Sequence, residues 1–147
     1  MSTFERQRFH KAVKGVHYAG TSKNRKRHGF GTLSFSDGRR YTGLFKDGQI
    51  CGPGTIEYKD GVTYTGEFTD GIENGSGIFK DGKGLIYTGQ FVNGLPWGKG
   101  YIIYGNGSSF FGEFREGRRE GEGYYINKEG HVRHGLWVNG MFSREIR

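Results

Sequence analysis

A five-residue phrase recurs at a fixed interval: "YTGLF" at 41–45, "YTGEF" at 64–68, "YTGQF" at 87–91 and "FFGEF" at 110–114, a period of 23 residues. A period of this length is the mark of a chain built from one small unit stacked on copies of itself. Such a chain grows in one direction, each unit touching only its neighbours. Hydrophobic residues make up only 33% of the sequence, too little for a thick two-layer core, while 16% is aromatic. The 29 glycines among 147 residues are far above the usual ~7%. With two prolines and no G-X-Y period, they belong to the repeat and not to collagen or a linker.

With the opening aromatic at offset zero, glycine recurs at offsets two and seven, at eleven and thirteen, and at twenty, and an aromatic recurs at offset four. Units therefore begin at Tyr18, Tyr41, Tyr64, Tyr87 and Phe110, with a half-unit from Arg133. The first unit is degenerate, with Ser22 for the second aromatic and Arg25 for the glycine at offset seven, as expected of an end that has one neighbour. The array is read as 18–140, preceded by a basic segment 1–17 with "FHKAV" as a worn half-unit, and followed by a tail, 141–147.

Each unit reads as two strands. Offsets zero to five alternate, aromatic–glycine–aromatic on one face and Thr, Glu, Gln or Leu on the other. A glycine turn such as "KDGQ" follows, and the second strand is expected to start at the G-x-G pair and run to an apolar site at offset fifteen. Loops this short reach only antiparallel neighbours. The expectation is an all-β, elongated, twisted single-layer meander of hairpins. If offset four faces offset eleven, two faces thirteen and zero faces fifteen, every ring lies over or diagonal to a position with no side chain.

The net charge of +7 sits at one end. Residues 1–28 hold eight Lys/Arg and one acid, and the other 119 hold fourteen of each sign. Cys51 is the only cysteine, so no internal disulfide forms and a reducing compartment is the default. No apolar run approaches the ~20 residues of a membrane span, and "MSTFERQRFHKAVKG" lacks the apolar core of a secretory signal.

The units resemble the MORN (membrane occupation and recognition nexus) repeat, approximately Y-x-G-x-W/F-x-x-G-x-x-x-G-x-G-x-x-x-x-x-D-G. "YTGLFKDGQICGPGTIEYKDG", residues 41–61, follows that pattern nearly throughout, and the resemblance covers about 18–140. Departures are Lys83 for the usual acid at offset nineteen and Asn106 in the next unit, which bear on local turn geometry. The resemblance implies a twisted antiparallel sheet without catalysis or cofactor. It further implies a scaffold role in a cytoskeletal assembly of the cytoplasm, a ciliary or flagellar axoneme with its radial spokes foremost. The other implied setting is a membrane junction.

Three candidate sites follow. On the aromatic face, Tyr41, Phe45, Tyr64, Phe68, Tyr87, Phe91, Phe110, Phe114 and Trp137 either fill the sheet's core or leave a groove for a partner's helix or extended segment. On the other face, Tyr101 with Ile103 and Tyr124 with Ile126 form a second apolar patch, unless residues 141–147 pack over it. Lys23, Arg25, Lys26 and Arg27 are either a solvated loop or a contact for acidic tubulin tails or anionic lipid. Nucleic acid is excluded as partner, because its recognition wants aromatics on the basic surface. The histidines and Cys51 show no metal-ligand spacing, and no glycine stretch opens a helix as a phosphate loop must.

Overall fold

The computed structural model describes residues 15–147. Strands follow one another in chain order through a single twelve-stranded sheet. They are β1 (Gly15–Lys23), β2 (Lys26–Phe35), β3 (Arg40–Lys46), β4 (Gln49–Glu57), β5 (Thr63–Thr69) and β6 (Ile72–Lys80). The second half adds β7 (Ile86–Val92), β8 (Leu95–Ile103), β9 (Ser109–Arg115), β10 (Arg118–Ile126), β11 (Val132–Val138) and β12 (Met141–Glu145). Each strand pairs antiparallel with the next. This is the all-β meander that the hairpin-length loops require. The "FHKAV" half-unit lies outside the described residues.

Two boundaries differ from expectation. Within the expected tail, 141–147, Met141–Glu145 pair with β11 and extend the sheet as its last strand. The second strand of each unit also begins well before the G-x-G pair. The turn ahead of it is closed by two residues only, such as Asp47 and Gly48, both at positive φ (50° and 91°). That primed turn matches the twist of the flanking strands, so pairing resumes at once, with Lys46 opposite Gln49.

The register holds between units and shifts within them. Gly29 faces Phe45, Gly31 faces Gly43 and Leu33 faces Tyr41, the expected pairing of eleven with four, thirteen with two and fifteen with zero. Inside a unit the last two of these pairs persist, as Tyr41–Ile56 and Gly43–Gly54, but Phe45 faces Ile50 and not Gly52. A bulge lies between, with Cys51, Gly52 and Pro53 against Leu44 alone. The same shift recurs in β5–β6 and β7–β8. Glycine at offset eleven therefore serves a backbone need. Gly52 has φ +85° and its missing Cβ would meet nothing closer than 3.8 Å. At offset thirteen the need is space: a Cβ on Gly54 would lie 2.4 Å from the Tyr41 hydroxyl oxygen.

Turn tips are stitched to the preceding unit. The amides of Gly48, Gly71, Gly94, Gly117 and Gly140 donate to the carbonyls of Arg27, Ile50, Glu73, Pro96 and Arg119 at 2.8–3.0 Å. The departures noted at offset nineteen are absorbed locally. Asp37, Asp60 and Asn106 each accept the amide two residues on. In the third unit Lys83 cannot do so, and Asp81, two residues earlier, accepts from Lys83 N and Leu85 N at 2.7 and 3.0 Å.

Candidate functional site

The aromatic face is a continuous ladder of rings. Tyr18, Phe45, Tyr41, Phe68, Tyr64, Phe91, Tyr87, Phe114, Phe110, Trp137 and Phe142 touch in that order, centroids 4.9–5.4 Å apart and planes near perpendicular. Edge-to-face pairs of this kind are each worth about 0.5–1.5 kcal/mol beyond the area they bury. The Tyr41, Tyr64 and Tyr87 hydroxyls donate to the carbonyls of Leu44, Glu67 and Gln90 at 2.8, 2.7 and 2.9 Å. These are the strand residues opposite the bulge. Burial pushes all three hydroxyls well above their ordinary pKa.

A groove for a partner needs open ring surface, and there is almost none. Tyr41, Tyr64, Tyr87 and Phe110 are fully buried, and Phe45, Phe68, Phe91, Phe114 and Trp137 are at most 4% exposed. The rings of Tyr41, Tyr64, Tyr87 and Phe110 lie on glycines, and the ring of an adjacent unit closes over each. Of the two readings, core or partner groove, these nine side chains take the first and form the core of the sheet. What that face offers from outside is its rim, where Tyr58, Tyr104 and Tyr125 pack half-buried against the ladder.

One polar cluster interrupts this core, and the repeat pattern gave no sign of it. Glu73, at offset nine where another unit carries Ile50, is fully buried. Tyr58 Oη donates to Glu73 Oε1 at 3.4 Å. Arg39, also buried, bonds Asp37 at 2.6 Å and lies over the Phe35 ring at 4.8 Å. Burial raises the Glu73 carboxyl to about 7 and the Tyr58 hydroxyl far above its usual range. Burial lowers the Arg39 guanidinium. The two polar substitutions fall in different units, at offsets twenty-one and nine, so only the folded array brings them together.

The open face changes character halfway along. Thr32, Thr42, Thr55 and Thr65 stand side by side on β2 to β5, with hydroxyl contacts of 3.3 Å (Thr32–Thr42) and 3.0 Å (Thr55–Thr65). The same row continues as Ile78, Thr88, Tyr101, Phe111, Tyr124 and His134 on β6 to β11. The row beside it reads Lys80, Ile86, Ile103, Ser109, Ile126 and Val132. Tyr101, Ile103, Tyr124 and Ile126 therefore belong to one strip, with Phe111 (52% exposed) at its centre. Sequence reasoning followed the second strands and missed Phe111. The signal was available: "FFGEF" carries Phe where the other units carry Thr42, Thr65 and Thr88. Tyr124 and His134 stack 4.2 Å apart with planes 4° from parallel, and His134 Nε2 is 2.7 Å from Glu122 Oε1.

The basic residues divide. Lys23, Arg25 and Lys26 are exposed at the turn joining β1 to β2, where Asn24 and Arg25 hold φ of 52° and 63°. Arg27 is not free. Its guanidinium donates to the Gly48 carbonyl at 3.2–3.3 Å and lies about 6 Å from the centroids of Tyr18 and Phe45, serving the ring ladder.

Among the described residues no helix is long and apolar enough to cross a membrane, and no group of His, Cys, Asp or Glu is placed to hold a metal. Comparison with curated proteins returns no match. The MORN repeat model matches five consecutive stretches, 18–39, 41–63, 64–86, 87–109 and 110–132. They coincide with the hairpin units described above, and the chain belongs to the MORN repeat family.

Proposed function

We propose that this chain is a non-enzymatic scaffold subunit that holds partner proteins in fixed geometry. The setting we propose is a cytoskeletal assembly such as a ciliary or flagellar axoneme, in a radial-spoke-like position. MORN repeats serve contacts with proteins or membrane lipid and are generally without catalysis. The cytoskeletal setting rests on the family resemblance alone. The observation that carries the scaffold reading is the division of labour between the faces. One is closed by its own rings, while the other exposes a continuous apolar strip from β6 to β11. The largest apolar patch on a protein surface, commonly a few hundred Å², is often its binding site.

Crosslinking mass spectrometry of the native complex tests the reading. Crosslinks from lysines of this chain to other proteins are expected. A chain recovered free of partners from detergent-extracted cytoskeleton would refute it.

A second reading, a membrane-associated adaptor, draws on the exposed cations at the β1–β2 turn. Each is worth about 1 kcal/mol near an anionic surface. Flotation with phosphatidylserine vesicles, abolished by changing Lys23, Arg25 and Lys26 to Ala, would favour it over the scaffold. Unchanged flotation in that variant would dismiss it.

A further inference from the structure

The apolar strip on the open face has a shape that selects its occupant. It consists of two rows of side chains on six adjacent strands, and strands lie ~4.8 Å apart, so its length is roughly 24 Å. Two residues along a strand separate the rows by about 7 Å, which gives a width near 12 Å with the side chains included. The footprint is then roughly 290 Å², against about 800 Å² per partner in a stable protein pair. A second copy laid face to face would have to spread over Lys99, Glu113 and Glu122 to reach that size, stripping water from three charges. Stacking ligands fit no better. The parallel Tyr124 and His134 rings face along the row, so edges and not flat faces meet the solvent.

An α-helix matches the strip. Its apolar stripe is about 10 Å wide, and 24 Å of helix is about 16 residues. The flanks set its polarity. Lys80, exposed, stands at the β6 end of the second row opposite Ile86, and Lys83 is exposed in the loop beside it, while the Asp81 carboxylate is turned inward onto the amides of Lys83 and Leu85. Resting on the scaffold reading, we propose that the strip centred on Phe111 docks an amphipathic helix of a partner protein, about sixteen residues long and acidic along the flank that meets Lys80 and Lys83. The specificity of the array then lies where the repeat departs from its own pattern, on the face away from the rings.

A synthetic 17-residue amphipathic helix with a Leu face and Glu along one flank serves as probe, with a Lys-flanked peptide of the same apolar face as its counterpart. Both are titrated into the full chain and followed by fluorescence anisotropy and amide chemical shifts. The Glu peptide is expected to bind, with shifts confined to β6–β11, and at low salt to bind at least fivefold better than its counterpart. Phe111→Thr and Tyr101→Thr, which install the residues other units carry, should each weaken binding about tenfold without disturbing the fold. Phe30→Thr, at the far end, should leave binding unchanged. The double variant Lys80→Glu, Lys83→Glu should reverse the peptide preference.

No binding at millimolar peptide, or equal binding to Phe111→Thr, overturns the proposal. So does a sedimenting dimer that Phe111→Thr dissolves, or vesicle flotation that the same variant abolishes, since the strip would then belong to a second copy or to lipid. Crosslinks to partner proteins from elsewhere on the chain, with none from the strip, would sink this inference and leave the scaffold reading standing.

Discussion

Glu73 makes the stability of the array depend on pH in a direction opposite to most carboxylates. Its carboxyl is fully buried on the ring face, and burial raises it from an ordinary 4.5 to about 7. Below pH 4.5 the group is protonated in both the folded and the unfolded chain and costs nothing. Between 4.5 and 7 the unfolded chain releases its proton while the folded chain holds it, so stability falls as pH rises. At 1.36 kcal/mol per pKa unit the total loss is on the order of 3 kcal/mol by pH 7. Replacing Glu73 by Gln keeps the volume and an acceptor for the Tyr58 hydroxyl but removes the proton. The variant and the parent should therefore be similar near pH 4, and the variant more stable by an amount of that order at pH 8. Urea unfolding followed by the fluorescence of the buried Trp137 measures both proteins at each pH. Arg39 and Tyr58, whose own shifts depend partly on Glu73, keep one protonation state between pH 4 and pH 8, so the pH-dependent part of the difference belongs to Glu73. A difference between parent and variant that is the same at pH 4 and pH 8 would refute the assignment of a raised carboxyl to this site.

The two jobs of glycine can be separated. A Cβ on Gly77 would sit 2.4 Å from the Tyr64 ring, so Gly77→Ala should cost more than about 3 kcal/mol in urea unfolding. Gly98→Ala meets open space at φ +76° and should cost only about 1–2 kcal/mol of backbone strain. Tyr87→Phe keeps the ring ladder, as Phe110 does naturally, and removes a 2.9 Å bond to the Gln90 carbonyl, for a loss of about 1 kcal/mol. Arg25 occupies φ 63° in a turn where the other units place Gly, so Arg25→Gly should raise stability by about 1 kcal/mol although it removes a charge.

The period, the face assignment and the pairing between units were legible because a unit repeated five times averages out its own exceptions. Two features were not legible. The within-unit bulge depends on a shift that leaves the in–out alternation unchanged, so Ile50 and Phe45 point the same way whether or not Gly52 faces Phe45. Burial of the rings was equally hidden. Alternation places Tyr41 and Phe45 on one face, but only the edge-to-face contact of Tyr41 with Phe68 of the next unit shows that no gap remains between units. The Asp37–Arg39–Tyr58–Glu73 cluster draws on three units at once, and a pattern read one unit at a time has no means of assembling it.

The sealed ladder has a consequence for how such an array acquires specificity. Offsets zero, two and thirteen are bound by ring-on-glycine contacts too close to admit another side chain, as the 2.4–2.6 Å distances at Gly43 and Gly54 require, and offset four by edge-to-face contact with two offset-zero rings. Offsets one, fourteen and sixteen point away from the ladder and carry no such constraint. There Thr42, Thr65 and Thr88 give way to Phe111, and Thr32 and Thr55 to Ile78, Tyr101 and Tyr124, with strand pairing left intact. A substitution on the open face changes what the sheet can bind and leaves what holds the sheet together untouched. The regular positions keep the surface rigid, and the irregular ones decide what it recognises.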